Sequence, residues 1–570
     1  MATLLVVATA CTPVSTAGTA TSRASTSTTS TTSTPTSTTS APTTTVLPTT
    51  TTIAPPTTTT IAPPSGGNWD DRVFYEIFVR SFMDSDGDGI GDFNGITSKL
   101  DYLNDGDPST TTDLGVTGIW LMPIFVSPSY HGYDVIDYTD VNPDYGTLDD
   151  LRNLVNEAHK RGIAVILDFP INHTSQYNPW FQKSQAGDAE YTDWYIWSDT
   201  DPGTRGPWGE KVWYRTGDHY YFALFASNMP DLNLRNDDVT SELYDIADFW
   251  LALGVDGFRL DAAQHLIEDG SIMENTPETK QWLAAFDEHV HEVAPDSFII
   301  GEVWNSTDVS ASYVPESVDS TFEFDLSDAW LQAAKNGHAP PFDEALATAL
   351  ADYPVDSFGT FLTNHDMNRV MSQLAANIDL AELSATWLLT GPGIPFLYYG
   401  EEVGLRGIKP DPQIRTPMPW TSEKGRVGFT TGVPWELPWT GYDTFNVADE
   451  TGDPDSLLST YRTLIHLREA TPALDHGTTM LVEAGSEHLV SYLRSEGTGH
   501  VLVVLNLSKD PVSDYGLTLT SGPLADAVKT ESLVGPNAST PEVTDGGFNG
   551  YRPVGSVAGY GRLVIDLSDR

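Results

Sequence analysis

A single cysteine, Cys11, stands in 570 residues, so no disulfide can form within the chain. Basic residues are scarce as well, lysine above all: 29 Lys and Arg face 79 Asp and Glu, for a formal net charge of −50. That field repels nucleic acid and anionic membrane surfaces and suits a neutral substrate. It resembles the acidic surface of salt-tolerant proteins, and equally that of an ordinary exported protein. Beyond the N-terminus no run is long and apolar enough to span a bilayer. Large apolar residues are nearly missing from positions 12–66, where Ser, Thr, Pro and Ala dominate. A tract of that kind buries no core, and residues 1–66 are expected to be an export signal and extended tether.

What the rest of the chain has is alternation. Apolar runs at 73–80, 116–123, 163–169, 255–261, 298–303, 319–325, 358–365 and 394–399 read as buried strands, with helical periodicity at 148–161, 240–253 and 278–293 among others. Eight such units predict an α/β fold, a (β/α)8 barrel whose site lies at the C-terminal strand ends. About 65 residues rich in Trp, Tyr, Gly and Asp separate the third strand from the next helix, too many for a connecting loop. After about 465 the pattern changes to short strands and turns, as in HLVSYLR and HVLVVLNLS, which predicts an antiparallel β domain.

Three acidic motifs end strands of this barrel: Asp261 in GFRLDAAQH, Glu302 in IIGEVW and Asp366 in FLTNHD. Carboxylates held at one rim suit the cleavage of a glycosidic bond. One of them faces the anomeric carbon of an oxocarbenium-like state while a protonated partner gives its proton to the leaving oxygen. Arg259 lies two residues before Asp261, on the same face of the strand, and would keep it charged. Glu302 follows Ile299 and Ile300 and precedes Val303 and Trp304, an apolar setting that raises a carboxyl pKa and suits the proton donor.

A separate acidic run, DSDGDGIGD at 84–92, offers alternating oxygen ligands from Asp84, Asp86 and Asp88 around Gly89, the pattern of a calcium loop. It is not an EF-hand, because Gly95 stands where the bidentate Glu would be.

Taken in order, these motifs resemble the α-amylase family of retaining glycoside hydrolases, glycoside hydrolase family 13, from about Asp70 to the C-terminus. The likeness is to bacterial α-amylases intermediate between the oligo-1,6-glucosidase and neopullulanase groups. It implies Asp261 as nucleophile, Glu302 as general acid and base, and Asp366 as the third acid. His173 in DFPINH, Tyr133 in HGYD, Arg259 and His365 are the implied substrate residues, and MPDLN at 229–233 matches a fifth motif. The resemblance places a small domain B at 175–238, between barrel parts 67–174 and 239–465, and makes 466–570 the C-terminal β domain. It completes the calcium loop with the Ile90 carbonyl and Asp92, and implies a second calcium at Asn172, Asp231 and the His265 backbone, with one acid unplaced.

The chain departs from the family at two places. Gln264 stands where many α-amylases have a lysine, and Met229 where the related oligo-1,6-glucosidases have Gln, although RTPMPW at 415–420 is similar to those glucosidases. Cys11, just after the apolar stretch Met1–Ala10, looks like a bacterial lipoprotein attachment site, and an ordinary signal peptide or a different start stays open. The expected protein is exported, extracellular or anchored at the cell surface, with membrane contact only through a lipid on Cys11. It is a calcium-dependent monomer that cuts internal α-1,4 bonds of starch or maltooligosaccharides as an α-amylase. An exo-acting α-glucosidase, oligo-1,6-glucosidase or transglycosylase is the alternative. A non-catalytic carbohydrate-binding or transporter-associated relative is the rival from another class, and it predicts the loss of an acid that this chain retains.

Overall fold

Eight short, buried strands form the centre of the molecule: β1 Phe74–Ile77, β2 Gly118–Leu121, β3 Ala164–Phe169, β4 Gly257–Leu260, β5 Phe298–Gly301, β6 Ser320–Phe322, β7 Phe358–Phe361 and β8 Ile394–Tyr398. The computed structural model describes Trp69–Arg570. The expected tether and Cys11 lie outside the described residues. Each strand runs parallel to its neighbours in sequence, and β8 closes against β1, so the barrel has no open edge. All of the expected strands are present but shorter, since residues such as Asp261 and Glu302 leave the ladder at its C-terminal end.

Alternation along the strands fills the barrel. Phe74, Trp120, Ile166, Ile300, Phe322 and Phe396 meet in one buried interior cluster, with Phe74 stacked on Phe396 at 4.6 Å. Burying each such side chain contributes roughly 1.5–3 kcal/mol. Gly118 makes room for this layer, because a Cβ there would lie 2.6 Å from the Phe74 ring.

The opposite strand faces join a second, larger core beneath the helices. Leu148–His159 starts at a reciprocal capping box between Thr147 and Asp150 and buries Leu151, Leu154, Val155 and Ala158 at helical spacing. Asp237–Leu253 begins at the Asn236 cap and ends where Gly254 turns left-handed at φ 110. No described helix is long and apolar enough to cross a membrane.

The long interval after β3 folds into the helix Pro179–Gln185 and a three-stranded antiparallel sheet of Trp197–Ser198, His219–Phe222 and Trp213–Thr216. At the C-terminus a five-stranded sheet, ordered 478–481, 489–496, 499–506, 562–566 and 531–534, has a core of its own around Leu493, Leu502 and Val504. The helix Leu457–Glu469 runs across the expected boundary at 465 because its apolar face, Leu457, Leu458, Tyr461, Leu464 and Ile465, is continuous and buried in the larger core. The sheet begins only at Thr478.

Candidate active site

Strand register brings the first charges together. Asp168 on β3 lies beside Arg259 on β4, which lies beside Ile300 on β5. Two residues further, Asp261 and Glu302 emerge at the rim. One buried guanidinium serves all three acids: Arg259 donates to Asp168 Oδ1 at 2.8 Å and Asp261 Oδ1 at 2.6 Å, and pairs with Glu302 Oε2 at 2.7 Å. Its charged carbon sits 5.1 Å from the centre of the Trp120 ring, the top of the barrel filling.

Burial raises the Glu302 carboxyl pKa; Arg259 opposes this, and the charges of Asp261 and Asp366 add to it. Ala262 adopts a left-handed conformation, φ 50, and its N–H then donates to Glu302 Oε2 at 3.1 Å. A non-glycine residue there costs on the order of 1 kcal/mol.

The third acid is held from two sides. Asp366 Oδ1 accepts from Arg415 Nη2 at 3.0 Å, and Oδ2 lies 3.1 Å from His365 Nε2. Burial works to raise the Asp366 pKa, but the charges of His365 and Arg415 overcome it and the net shift is downward. Burial likewise works to lower His365, and the carboxylates of Asp366 and Glu76 reverse that, pushing it up to about 10. His365 Nδ1 donates to Glu76 Oε1 at 2.6 Å, and the Tyr133 hydroxyl bridges His365 Nε2 at 2.7 Å and Asp168 Oδ2 at 2.9 Å. A continuous polar chain thus runs from Glu76 through His365, Tyr133 and Asp168 to Arg259.

Every implied substrate residue lies in this region. Tyr133 is only 9% exposed, with its ring stacked near those of His131 and His365. His173 is buried, donates from Nδ1 to Asn172 Oδ1 at 3.1 Å, and leaves Nε2 without a partner. Burial lowers its pKa to about 4, so the ring is neutral. Glu76, Asp168 and Arg415 are functional positions that the sequence reading passed over. Two of them sit in quoted motifs, DFPINH and RTPMPW, and the third is a lone acid in the apolar run of β1.

Two places gather oxygen ligands. In the loop 84–92, the carboxylates of Asp84, Asp86 and Asp88 lie within 4.8 Å of one another. Burial and the neighbouring charges of Asp86 and Asp84 raise the Asp88 pKa against a backbone hydrogen bond from Ile90. Asp92 accepts from Gly95 N at 2.7 Å as a helix cap and from the N–H and hydroxyl of Ser85, inside the same loop. The second place is buried. Asn172 Nδ2 donates to the His265 carbonyl at 2.8 Å, and Asp231 accepts from Leu224 N at 3.0 Å. Asp231 Oδ2 and Glu268 Oε1 are buried without partners, and burial, then the charge of Glu268, raises the Asp231 pKa. Glu268 is thus an acid that would fill the place the sequence left open. Turning over the Asn172 amide gives an all-oxygen set with Asp231, Glu268 and the His265 carbonyl, the donor chemistry of calcium.

Comparison with known proteins agrees with this geometry. Residues 76–477 match the alpha amylase catalytic domain family. The chain is 39% identical over 449 residues to Alpha-amylase 3 of Dictyoglomus thermophilum, covering 77% of this chain and 85% of that protein. It is 34% identical over 507 residues to a trehalose synthase of Pimelobacter sp., covering 77% and 87%. The crystal structure of an alpha-amylase from H. orenii superposes with a TM-score of 0.73 at 38% identity, over 87% of this chain and 99% of that one. The chain belongs to the α-amylase family of glycoside hydrolases, family 13.

Proposed function

We propose that the protein is a retaining hydrolase of α-1,4-glucosidic bonds, acting inside starch and maltooligosaccharide chains as an α-amylase. Asp261 is the nucleophile: Arg259 anchors Oδ1 at 2.6 Å, leaving Oδ2 to meet the anomeric carbon. Glu302 carries the proton to the leaving oxygen, since burial raises its pKa, and it then activates the water that releases the glycosyl-enzyme. Asp366, whose net pKa shift is downward under His365 and Arg415, holds sugar hydroxyls and offsets positive charge as it develops at the ring. Neutral His173 offers its unpartnered Nε2 to a substrate hydroxyl, and Tyr133 its remaining ring area to the sugar face.

The observation that carries the α-amylase reading is the pair of exposed aromatic walls beside Glu302 and His265. Trp304, 47% exposed, stacks on Phe324 at 4.5 Å two residues after the acid. Trp208, 55% exposed, stands against Phe225 and His265, and Phe225 in turn lies against His173. Flat faces in these positions suit several glucosyl units, whereas a pocket for one terminal unit has no use for them.

Arg415 in RTPMPW, bound to Asp366, favours a second reading as an exo-acting α-glucosidase or oligo-1,6-glucosidase, and the trehalose synthase relative favours glucosyl transfer. Calcium fits the buried oxygen set around Asp231 and the loop 84–92, where it would tie β3 and β4 to the inserted segment and brace the first strand-to-helix loop. We further propose that the chain is exported, with residues 1–66 as signal and tether.

A time course on soluble starch tests the reading. Loss of iodine colour while few reducing ends have formed, with maltose or longer products preceding glucose, is the expected result. Glucose alone with retained colour, or turnover confined to isomaltose or sucrose, selects the second reading.

A further inference from the structure

We propose that the segment inserted after β3 carries an accessory binding site for an α-glucan chain, separate from the catalytic cleft. A partly open cavity of about 820 Å³ lies between its three-stranded sheet, the helix Pro179–Gln185 and the turn 268–273. None of the residues grouped around Asp261, Glu302 and Asp366 lines it. Its size is that of an oligosaccharide pocket.

The wall chemistry selects the ligand. Trp197 and Trp213 are half-buried in it, and each is fixed by its indole N–H, to Ser184 Oγ and to Thr204 Oγ1, both at 2.9 Å. Trp197 is held further by Phe181, stacked at 5.7 Å and 9°, and by the edge-on ring of Tyr221 at 6.0 Å, while still lining the cavity. Rings held this way bind the flat C–H face of a hexose without paying for their own ordering. Around them stand planar hydrogen-bonding groups, Gln185, Asn233 and Asp193, suited to sugar hydroxyls.

The two basic side chains on the wall are already matched: Arg235 is bound to Glu278, and His219 lies 3.0 Å from Asp199. No basic group is left for a phosphate or a nucleotide, and a wall of amides with the acids Asp193, Asp199 and Glu268 does not suit a lipid. A neutral, hydroxyl-rich chain remains. That it is an α-glucan rests on the function proposed above. Such a site would hold a long chain near the cleft and would do nothing for short substrates.

Retardation of the full-length protein in native gels containing amylopectin tests the site, beside kcat/KM on a chromogenic maltotrioside. Trp213→Ala is expected to weaken retardation about three- to ten-fold, the worth of one aromatic–sugar face, with kcat/KM on the short substrate kept within about two-fold. Trp213→Phe should retain most of the retardation. Ala186→Trp, at an exposed rim position that does not disturb the core, should block the cavity and reproduce the loss. Melting temperature checks the fold of each variant. If Ala186→Trp and a folded Trp213→Ala migrate as the parent does while the parent hydrolyses starch, the accessory site is refuted and the proposed function stands. A parent that neither cleaves nor is retarded by any α-glucan refutes both.

Discussion

At the barrel rim the chain provides its own counter-charges: Arg259 touches Asp261 and Glu302, while His365 and Arg415 touch Asp366. Around Asp231 and in the loop 84–92 the acids meet amides, hydroxyls and one another, and the one basic side chain at hand, Arg235, binds the Glu268 carbonyl and not its carboxylate. The first arrangement fixes charge permanently where a reaction needs it. The second leaves negative charge that an ion from solution must balance, so its stability belongs partly to the ligand.

The contrast breaks first at the rim. Asp261→Asn and Glu302→Gln should each lower kcat by about 10³-fold or more, because each removes a group that acts in the transition state, with the melting temperature nearly kept. A variant that keeps a tenth of the parent activity would remove that residue from its assigned role. Asp168→Asn keeps the shape but removes one carboxylate from Arg259 and Tyr133. It should lower kcat by about 10- to 100-fold with little change in KM, since Asp168 acts by positioning the guanidinium. An unchanged kcat would show that the polar chain from Glu76 to Arg259 is only structural.

The acid groups without a cation should respond to metal instead. Calcium at about 100 times its Kd adds about 2.7 kcal/mol for a site that exists only in the folded state. Chelation should therefore lower the melting temperature. The larger share of that response should vanish in Asp231→Asn, because the buried set has orphaned oxygens, and the smaller in the double variant Asp86→Ala, Asp88→Ala. Equal melting curves with and without chelator would contradict both assignments.

A smaller effect follows from His365. Its folded pKa of about 10 exceeds the ordinary 6.5, so the stability it brings is complete below about pH 6.5 and is lost as pH rises towards 10. Denaturant unfolding across that range should show stability falling in the parent and a flatter profile in His365→Gln. A parent profile flat between pH 7 and 10 would contradict the ion pairs drawn to Glu76 and Asp366.

The difference between the two regions also explains what could be read in advance. Strand runs ending in Asp261, Glu302 and Asp366 were legible because a buried strand must be apolar, and an acid at its end stands out. Glu76 breaks such a run from within, and its meaning depends on His365, 289 residues away. The loop 84–92 was visible through its local repeat of aspartates, yet repetition did not reveal that Asp92 also caps the helix at Phe93. Glu268 had no local signal at all, because only the packing of the inserted segment against the turn after β4 sets it beside Asp231. The paired aromatic walls, Trp304 with Phe324 and Trp208 with Phe225, were hidden among fifteen tryptophans for the same reason.

The central claim is that Asp261 attacks the anomeric carbon while Glu302 serves first as acid and then as base. Proton NMR of the product in the first seconds of maltooligosaccharide hydrolysis, before mutarotation, tests it most directly. Two displacements at one carbon retain configuration, so the first signal should be the α-anomer. Initial appearance of the β-anomer would mean a single displacement by water and would contradict Asp261 as the nucleophile.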